Sequence, residues 1–278
     1  MKRIGYPGIE GTFSDEAGRA FFSSKYDGIG LGSFEEVCQA LKNKEVEHAV
    51  LPIENSSTGS IGEVFDLIQK YDLMITGEKK LLIEHHLLGL PEAERDGIQC
   101  IYSHPQAFKQ CYESLKSRPE VEHVVTATTA NGAEIVHRKK CDRQAAIGSR
   151  YAAKIYGLNV LEESIHDIKG NATRFLVLSD WADIEPESDK ISLSFILKHE
   201  PGALAGILAL IADGDYNIAH IESRPIRNEN WAYRFFLDIE GRLEDLQTTF
   251  LMKKLRRMTA DFKIVGQYRA DTLKTREV

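Results

Sequence analysis

The chain has 278 residues, 42% of them hydrophobic, enough for one large domain or two smaller ones with a real core. Its formal charge of −7 and the lack of a basic run with interleaved aromatics argue against a nucleic-acid surface. No stretch approaches the ~20 apolar residues of a membrane span, and no apolar core follows Met1-Lys2-Arg3-Ile4, so neither membrane insertion nor a secretion signal is expected. Cys38, Cys100, Cys111 and Cys141 lack CxxC spacing and read as reduced thiols of a cytoplasmic protein. His85 and His86 project in different directions and have no ligand set nearby, so no metal is expected.

Taken in order, Lys2–Tyr6 predicts a first strand. Gly8 and Gly11 follow, and Ser14 then opens a helix with Asp15 and Glu16 in its first turn. Such a loop brings backbone N–H groups toward an anion, or is simply a tight turn capped by Ser14. It is not a phosphate loop, because Lys-Ser/Thr is missing after the glycines. Ser33 with Glu36 forms a capping box ahead of the helical face Phe34, Val37, Cys38, Leu41. His48–Ile53 predicts a strand that runs into Glu54-Asn55-Ser56-Ser57-Thr58-Gly59-Ser60, where Ser60 and Glu63 suggest a second box. These hydroxyls suit a polar ligand, or a solvated loop.

Extended segments at 74–76, 80–84 and 98–102 come next, and Ser103-His104-Pro105-Gln106 starts a helix with Gln106 explicable as a capping partner. His104 there is either a proton donor or a structural hydrogen-bonder. Strand 121–126 leads through Thr128 or Thr129 into a helix, and strand 144–147 leads through Ser149 into another that Gly157 ends. Gly170-Asn171 reads as a turn into the apolar strand Arg174–Ser179. Thr173 and Arg174 thus sit where a strand leaves a loop. They are either site residues or a capping threonine beside a solvated arginine. The alternation of strand and helix predicts two α/β lobes around a cleft across 1–180, the second lobe at about 77–160. Residues 181–190 (WADIEPESDK) read as a linker. From 191 to 278 the order is βαββαβ, the ferredoxin-like plan.

The set Gly8-x-x-Gly11-Thr12-Phe13-Ser14, Pro52-Ile53-Glu54-Asn55-Ser56, Ser103-His104-Pro105-Gln106-Ala107-Phe108 and Thr173-Arg174-Phe175 resembles prephenate dehydratase. The second region resembles its regulatory ACT domain through Gly202-Ala203-Leu204 and Glu222-Ser223-Arg224-Pro225. The match spans nearly the whole chain in the family's order. Ile9 replaces a frequent proline and Ala219 a frequent threonine. No chorismate mutase helix precedes Met1, so the resemblance is to the monofunctional form.

The resemblance implies a two-lobed, periplasmic-binding-protein-like catalytic domain followed by the ACT domain. It implies a lyase that converts prephenate to phenylpyruvate, water and carbon dioxide in phenylalanine biosynthesis. Aromatisation drives the reaction, so no cofactor or metal is implied. Thr173 would be the hydrogen-bond donor at the departing hydroxyl, with Arg174 anchoring a carboxylate or ordering the loop. Glu54, Asn55 and Ser56 would line the cleft, Glu54 serving as acid only if burial raised its pKa above ~4.3. Gln106 would reach the substrate from the other lobe; Thr12 and Ser14 are further candidates and Phe175 is packing. A hydroxyl-rich pocket with one or two arginines is expected. L-Phenylalanine would bind between paired ACT domains of a homodimer or homotetramer, at Gly202, Ala203, Leu204, Asn217, Glu222, Ser223, Arg224 and Pro225. An arogenate dehydratase and a non-catalytic amino-acid-sensing protein are the alternatives.

Overall fold

The computed structural model describes residues 1–182, 184, 186–226 and 232–273. The first lobe runs β1 (Lys2–Pro7), α1 (Phe13–Phe22), β2 (Tyr26–Leu31), α2 (Phe34–Lys42), β3 (His48–Asn55), β4 (Gly59–Ser60), α3 (Gly62–Lys70) and β5 (Met74–Leu82). The crossover helices are helices because their apolar residues recur on one face: α2 buries Val37, Cys38, Ala40 and Leu41, and α3 buries Val64, Phe65, Leu67 and Ile68. Both stripes press on β3, whose Ala49, Leu51 and Ile53 are fully buried beneath them. β1 pairs in parallel with β2 and β3, so the ends of these three strands deliver their loops to one edge.

The second lobe holds β6 (His86–Gly89), β7 (Cys100–Ser103), α4 (Pro105–Gln110), α5 (Tyr112–Lys116), β8 (Glu122–Val125), α6 (Thr129–Lys139), β9 (Gln144–Gly148), α7 (Arg150–Tyr156) and β10 (Asn159–Glu162). Its sheet order is β10-β6-β9-β7-β8. The chain then returns to the first sheet as β11 (Ala172–Ser179), antiparallel between β3 and β5. The expected start of this lobe near 77 is corrected. Gly77 through Leu82 still pair with β11, so the crossover falls at 83–85.

The ACT region is β12 (Lys190–Ile196), α8 (Ala203–Asp213), β13 (Ile218–Pro225), β14 (Tyr233–Glu240), α9 (Leu246–Met258) and β15 (Asp261–Tyr268), with strand order β13-β14-β12-β15. Strand alternation turns Ile191, Leu193 and Phe195 toward the core under α8 and α9. β15 meets β5 at Gly266 and Ile75, joining the ACT sheet to the first lobe. A side chain at Gly266 would put a Cβ 2.2 Å from the Ile75 carbonyl oxygen, so this approach requires glycine.

Thr128 and Ser149 cap α6 and α7, and Gly157 ends α7 in the left-handed region, as the residues suggest. Three starts differ from expectation. Thr12 caps α1, which leaves Ser14 inside the helix. Ile61 precedes α3 without a side-chain cap, because Ser60 is drawn into β4 against Glu54. His104 caps α4, because the Ser103 hydroxyl donates instead to the Ile147 carbonyl at 2.8 Å. No helix among the described residues is long and apolar enough to cross a membrane.

Candidate active site

A cleft of about 840 Å³ lies between the lobes, walled by loops that follow β1, β2 and β3 on one side and β7 and β8 on the other. The N-termini of α1, α2, α3, α4 and α6 all open onto it through residues such as Thr12, Ser33, Ile61, His104 and Thr128. The expected arginines are absent from the wall: among the described residues that line it there is no lysine or arginine. Its titratable groups are Glu63, His85 and His104. Burial pushes both histidines down, His85 to about 4, so they are neutral near pH 7. Positive potential in this cleft therefore comes from helix ends rather than from fixed cations.

Thr12, Ser14, Asn55, Gln106, Thr173 and Phe175 line the cleft. Thr173 pairs with Asn55 across the β11–β3 ladder, and the Asn55 amide Nδ2–H donates to Thr173 Oγ1 at 2.9 Å. Asn55 cannot flip. Its Oδ1 accepts from the Ser57 and Thr58 backbone N–H groups at 3.0 and 3.1 Å, and from the Ser57 hydroxyl at 2.7 Å. With a lone pair taken by Asn55, the Thr173 hydroxyl keeps its own proton available to a ligand. A register shift between Arg174 and Phe175 leaves Ile53 unpaired, so both Pro52 and Asn55 reach the cleft.

Three candidate residues lie elsewhere. Arg174 is next to Thr173 on a strand, so it points to the opposite face. There its Nε donates to Glu78 at 2.6 Å, and its Nη2 donates to Asp238 at 2.5 Å and to the Tyr268 hydroxyl at 2.9 Å. Lys190 also donates to Glu78 at 2.7 Å, and the Ser192 hydroxyl donates to Asp238. Burial would raise the Glu78 carboxyl, but Arg174, Lys190 and the Asp271 N–H hold it below the usual carboxylate range. Glu54, paired with Arg174 in register, likewise turns outward and lies 3.5 Å from His220 of β13. Ser56 braces the turn before β11: its hydroxyl donates to Asn171 Oδ1 and accepts from the Ala172 N–H.

The ACT residues divide similarly. Arg224 reaches the first lobe and binds Asp66 of α3 through two hydrogen bonds, at 3.1 and 2.8 Å. It packs on Gly62, where a Cβ would meet its guanidinium at 2.1 Å. Glu222 is a more distant partner at 3.9 Å. Arg224 and Pro225 border a second cavity, of about 460 Å³, between α3 and the ACT sheet. Gly202, with φ of +83°, starts α8 at the surface; Asn217 and Ser223 are exposed, and Ala203 and Leu204 are half-buried.

Sequence reasoning missed His85 and Gln110 in the cleft wall. Nothing local marks either residue, since their place is set by the lobe crossover and by α4. It also missed Asp15, which accepts from the Gly11 N–H, Tyr26 and Tyr151 and so fixes the first loop against the second lobe.

A family profile described as prephenate dehydratase matches residues 4–182, and one described as ACT domain matches 191–255. The bifunctional chorismate mutase/prephenate dehydratase of Neisseria gonorrhoeae is 33% identical over 266 residues, covering 95% of this chain and 74% of the relative. The solved prephenate dehydratase of Arthrobacter aurescens in complex with L-Phe superposes with a TM-score of 0.84 at 27% identity, over 96% of this chain and 90% of that one. GqqA, described as a novel type of quorum quenching acylase, superposes at 0.88 with 28% identity, over 97% and 98%.

Proposed function

The chain belongs to the prephenate dehydratase family, with an ACT domain behind the catalytic region, and on that premise we propose how its cleft performs the reaction. The enzyme converts prephenate to phenylpyruvate, losing water and carbon dioxide. Aromatisation supplies the driving force, and the barrier lies in expelling hydroxide. Thr173 donates a hydrogen bond to that leaving oxygen, and a water or relay behind it supplies the proton, since a lone alcohol is too weak an acid. The observation that supports this role is the Asn55 amide donating to Thr173 Oγ1, which leaves the hydroxyl proton for the substrate. Helix N-termini hold the carboxylates. A wall with no lysine or arginine among its described residues avoids over-stabilising the carboxylate that must leave as carbon dioxide. Gln106, Thr12 and Ser14 contact the substrate, and Phe175 packs beneath it.

Arg174 and Glu54 act from behind the cleft. Arg174 clamps the ACT sheet to the catalytic sheet, and Glu54 meets His220 on β13. L-Phenylalanine is the effector, bound by the Gly202–Leu204 turn, Asn217 and the Glu222–Pro225 strand between paired ACT domains of an oligomer. The Arthrobacter complex with L-Phe supports that ligand. GqqA is described as an acylase, but Thr173 here is not set up as an acyl-transfer nucleophile, because such a group needs a base and the Asn55 amide at its Oγ1 is a donor. The test is incubation with prephenate and detection of phenylpyruvate by its absorbance in alkali, using wild type and Thr173→Ala, with and without L-phenylalanine. Turnover by Thr173→Ala at the wild-type rate removes the Thr173 assignment. If calorimetry with L-phenylalanine shows no heat and turnover shows no inhibition, the effector assignment falls.

A further inference from the structure

We infer that His85 and Gln110 are positioning residues for the dehydration: from the second lobe and the crossover they hold the loop that sets the Thr173 hydroxyl, through a hydrogen-bond relay crossing the cleft. The inference rests on Thr173 being the donor to the leaving oxygen. His85 sits in the 83–85 crossover, is 3% exposed, and packs edge-on against the Phe13 ring at 5.8 Å. Its Nε2 lies 2.9 Å from Gln110 Oε1. With Gln110 turned this way, the amide oxygen only accepts, so the imidazole proton is on Nε2.

That bond in turn orients Gln110. With its oxygen facing His85, its NH₂ faces the first lobe and donates to Ser57 Oγ at 3.4 Å. The Ser57 hydroxyl donates onward to Asn55 Oδ1, and Asn55 Nδ2–H donates to Thr173 Oγ1. All four bonds run in one direction, and the only hydroxyl proton left over is that of Thr173. No proton needs to move along this line, which serves to fix orientation. Backbone N–H groups already lock Asn55, so the contribution of His85 and Gln110 is to pin the 56–60 loop against the opposite lobe. Lobe separation would break the Gln110–Ser57 bond first, because it is the longest of the four. Burial keeps His85 neutral, and its Nδ1 has no partner, so the ring has Gln110 as its single hydrogen-bonding task among the described residues. This arrangement places the two residues in the kcat column. A displaced donor costs rate, because reaction depends steeply on geometry, while the helix ends that hold the carboxylates stay in place.

The test is steady-state kinetics on the full chain with prephenate, comparing His85→Phe, Gln110→Leu, Ser57→Ala and the paired variants. Each single change is expected to lower kcat about tenfold with KM within about twofold. The pairs His85→Phe/Ser57→Ala and Gln110→Leu/Ser57→Ala are expected to be no slower than the worse single variant, because all cut the same relay. Multiplied losses of about a hundredfold, or unchanged kcat in Gln110→Leu, overturn the inference. Should His85→Phe fail to fold by circular dichroism, His85→Gln restores a donor and is expected to keep kcat near wild type, and the Gln110/Ser57 cycle still decides. If Thr173→Ala turns over normally, the donor reading falls. If Thr173→Ala is inactive while Gln110→Leu is normal, only the relay falls.

Discussion

The β3–β11 ladder has two chemically opposite sides. On the cleft side, Asn55 and Thr173 meet through one neutral hydrogen bond in a wall that carries no lysine or arginine among its described residues. One residue along each strand, Glu54 and Arg174 face the ACT region, where Glu78, Asp238, Lys190 and Tyr268 form a buried ionic cluster around the guanidinium. The difference shows how a two-residue period separates tasks that share a motif. A side that must let a carboxylate leave is kept free of cations. A side that must join two domains uses charges that are costly to strand.

The largest effect expected from breaking this contrast is on the cleft side. Thr173→Ala should lower kcat by ~10²–10⁴-fold while lowering the melting temperature by only about 2–4 °C, since the change removes one hydroxyl and one hydrogen bond worth about 1 kcal/mol. Arg174→Met should do the reverse. Removing the guanidinium leaves Asp238 buried without a cation partner, and a broken buried pair costs about 3–5 kcal/mol, so the melting temperature should fall by roughly 6–20 °C. At a temperature where this variant is folded, turnover per molecule should stay within a few-fold of wild type. A collapse of turnover without loss of stability would return Arg174 to the substrate.

A pH titration sharpens the same comparison by sign. The folded chain disfavours protons on His85 and His86, whose pKa values burial lowers to about 4, whereas the unfolded chain takes them up from the ordinary imidazole value of 6.5 downward. Stability contributed by keeping these rings neutral is therefore complete above 6.5 and declines between 6.5 and about 4. Glu78, depressed from 4.5, adds a second loss only as the pH drops below that value. Unfolding by urea across pH 3–8 should show both stages, and Glu78→Gln should flatten the lower one. The smallest effect is expected at Glu54, whose partner lies 3.5 Å away and whose side chain is 42% exposed. Glu54→Gln should change stability by less than about 1 kcal/mol and leave kcat near wild type. A large loss of turnover there would put the acid back at position 54.

The Thr-Arg-Phe run shows where reading by adjacency stops. Neighbours in sequence look like a single site, yet on a strand they belong to opposite surfaces. The caps show a related limit. Ser14, Ser60 and Ser103 have the right residue type at the right spacing, but each has a better use inside a helix, in a ladder or against a carbonyl. Which donor wins is a contest among neighbours that the local pattern does not contain. His85 and Gln110 carry no local signal at all, because their meeting depends on where the chain crosses between lobes.

From the chain by itself came the alternation of strand and helix, the two-lobed plan and the βαββαβ region. These follow from apolar periodicity and turn chemistry, which are local and survive without neighbours. Only the tertiary structure decided which face each strand residue shows, that Arg174 and Arg224 tie the ACT region to the first lobe, and that the cleft is polarised by helix ends. Those outcomes depend on register and on the packing of elements far apart in sequence, and a one-residue change in either reverses them.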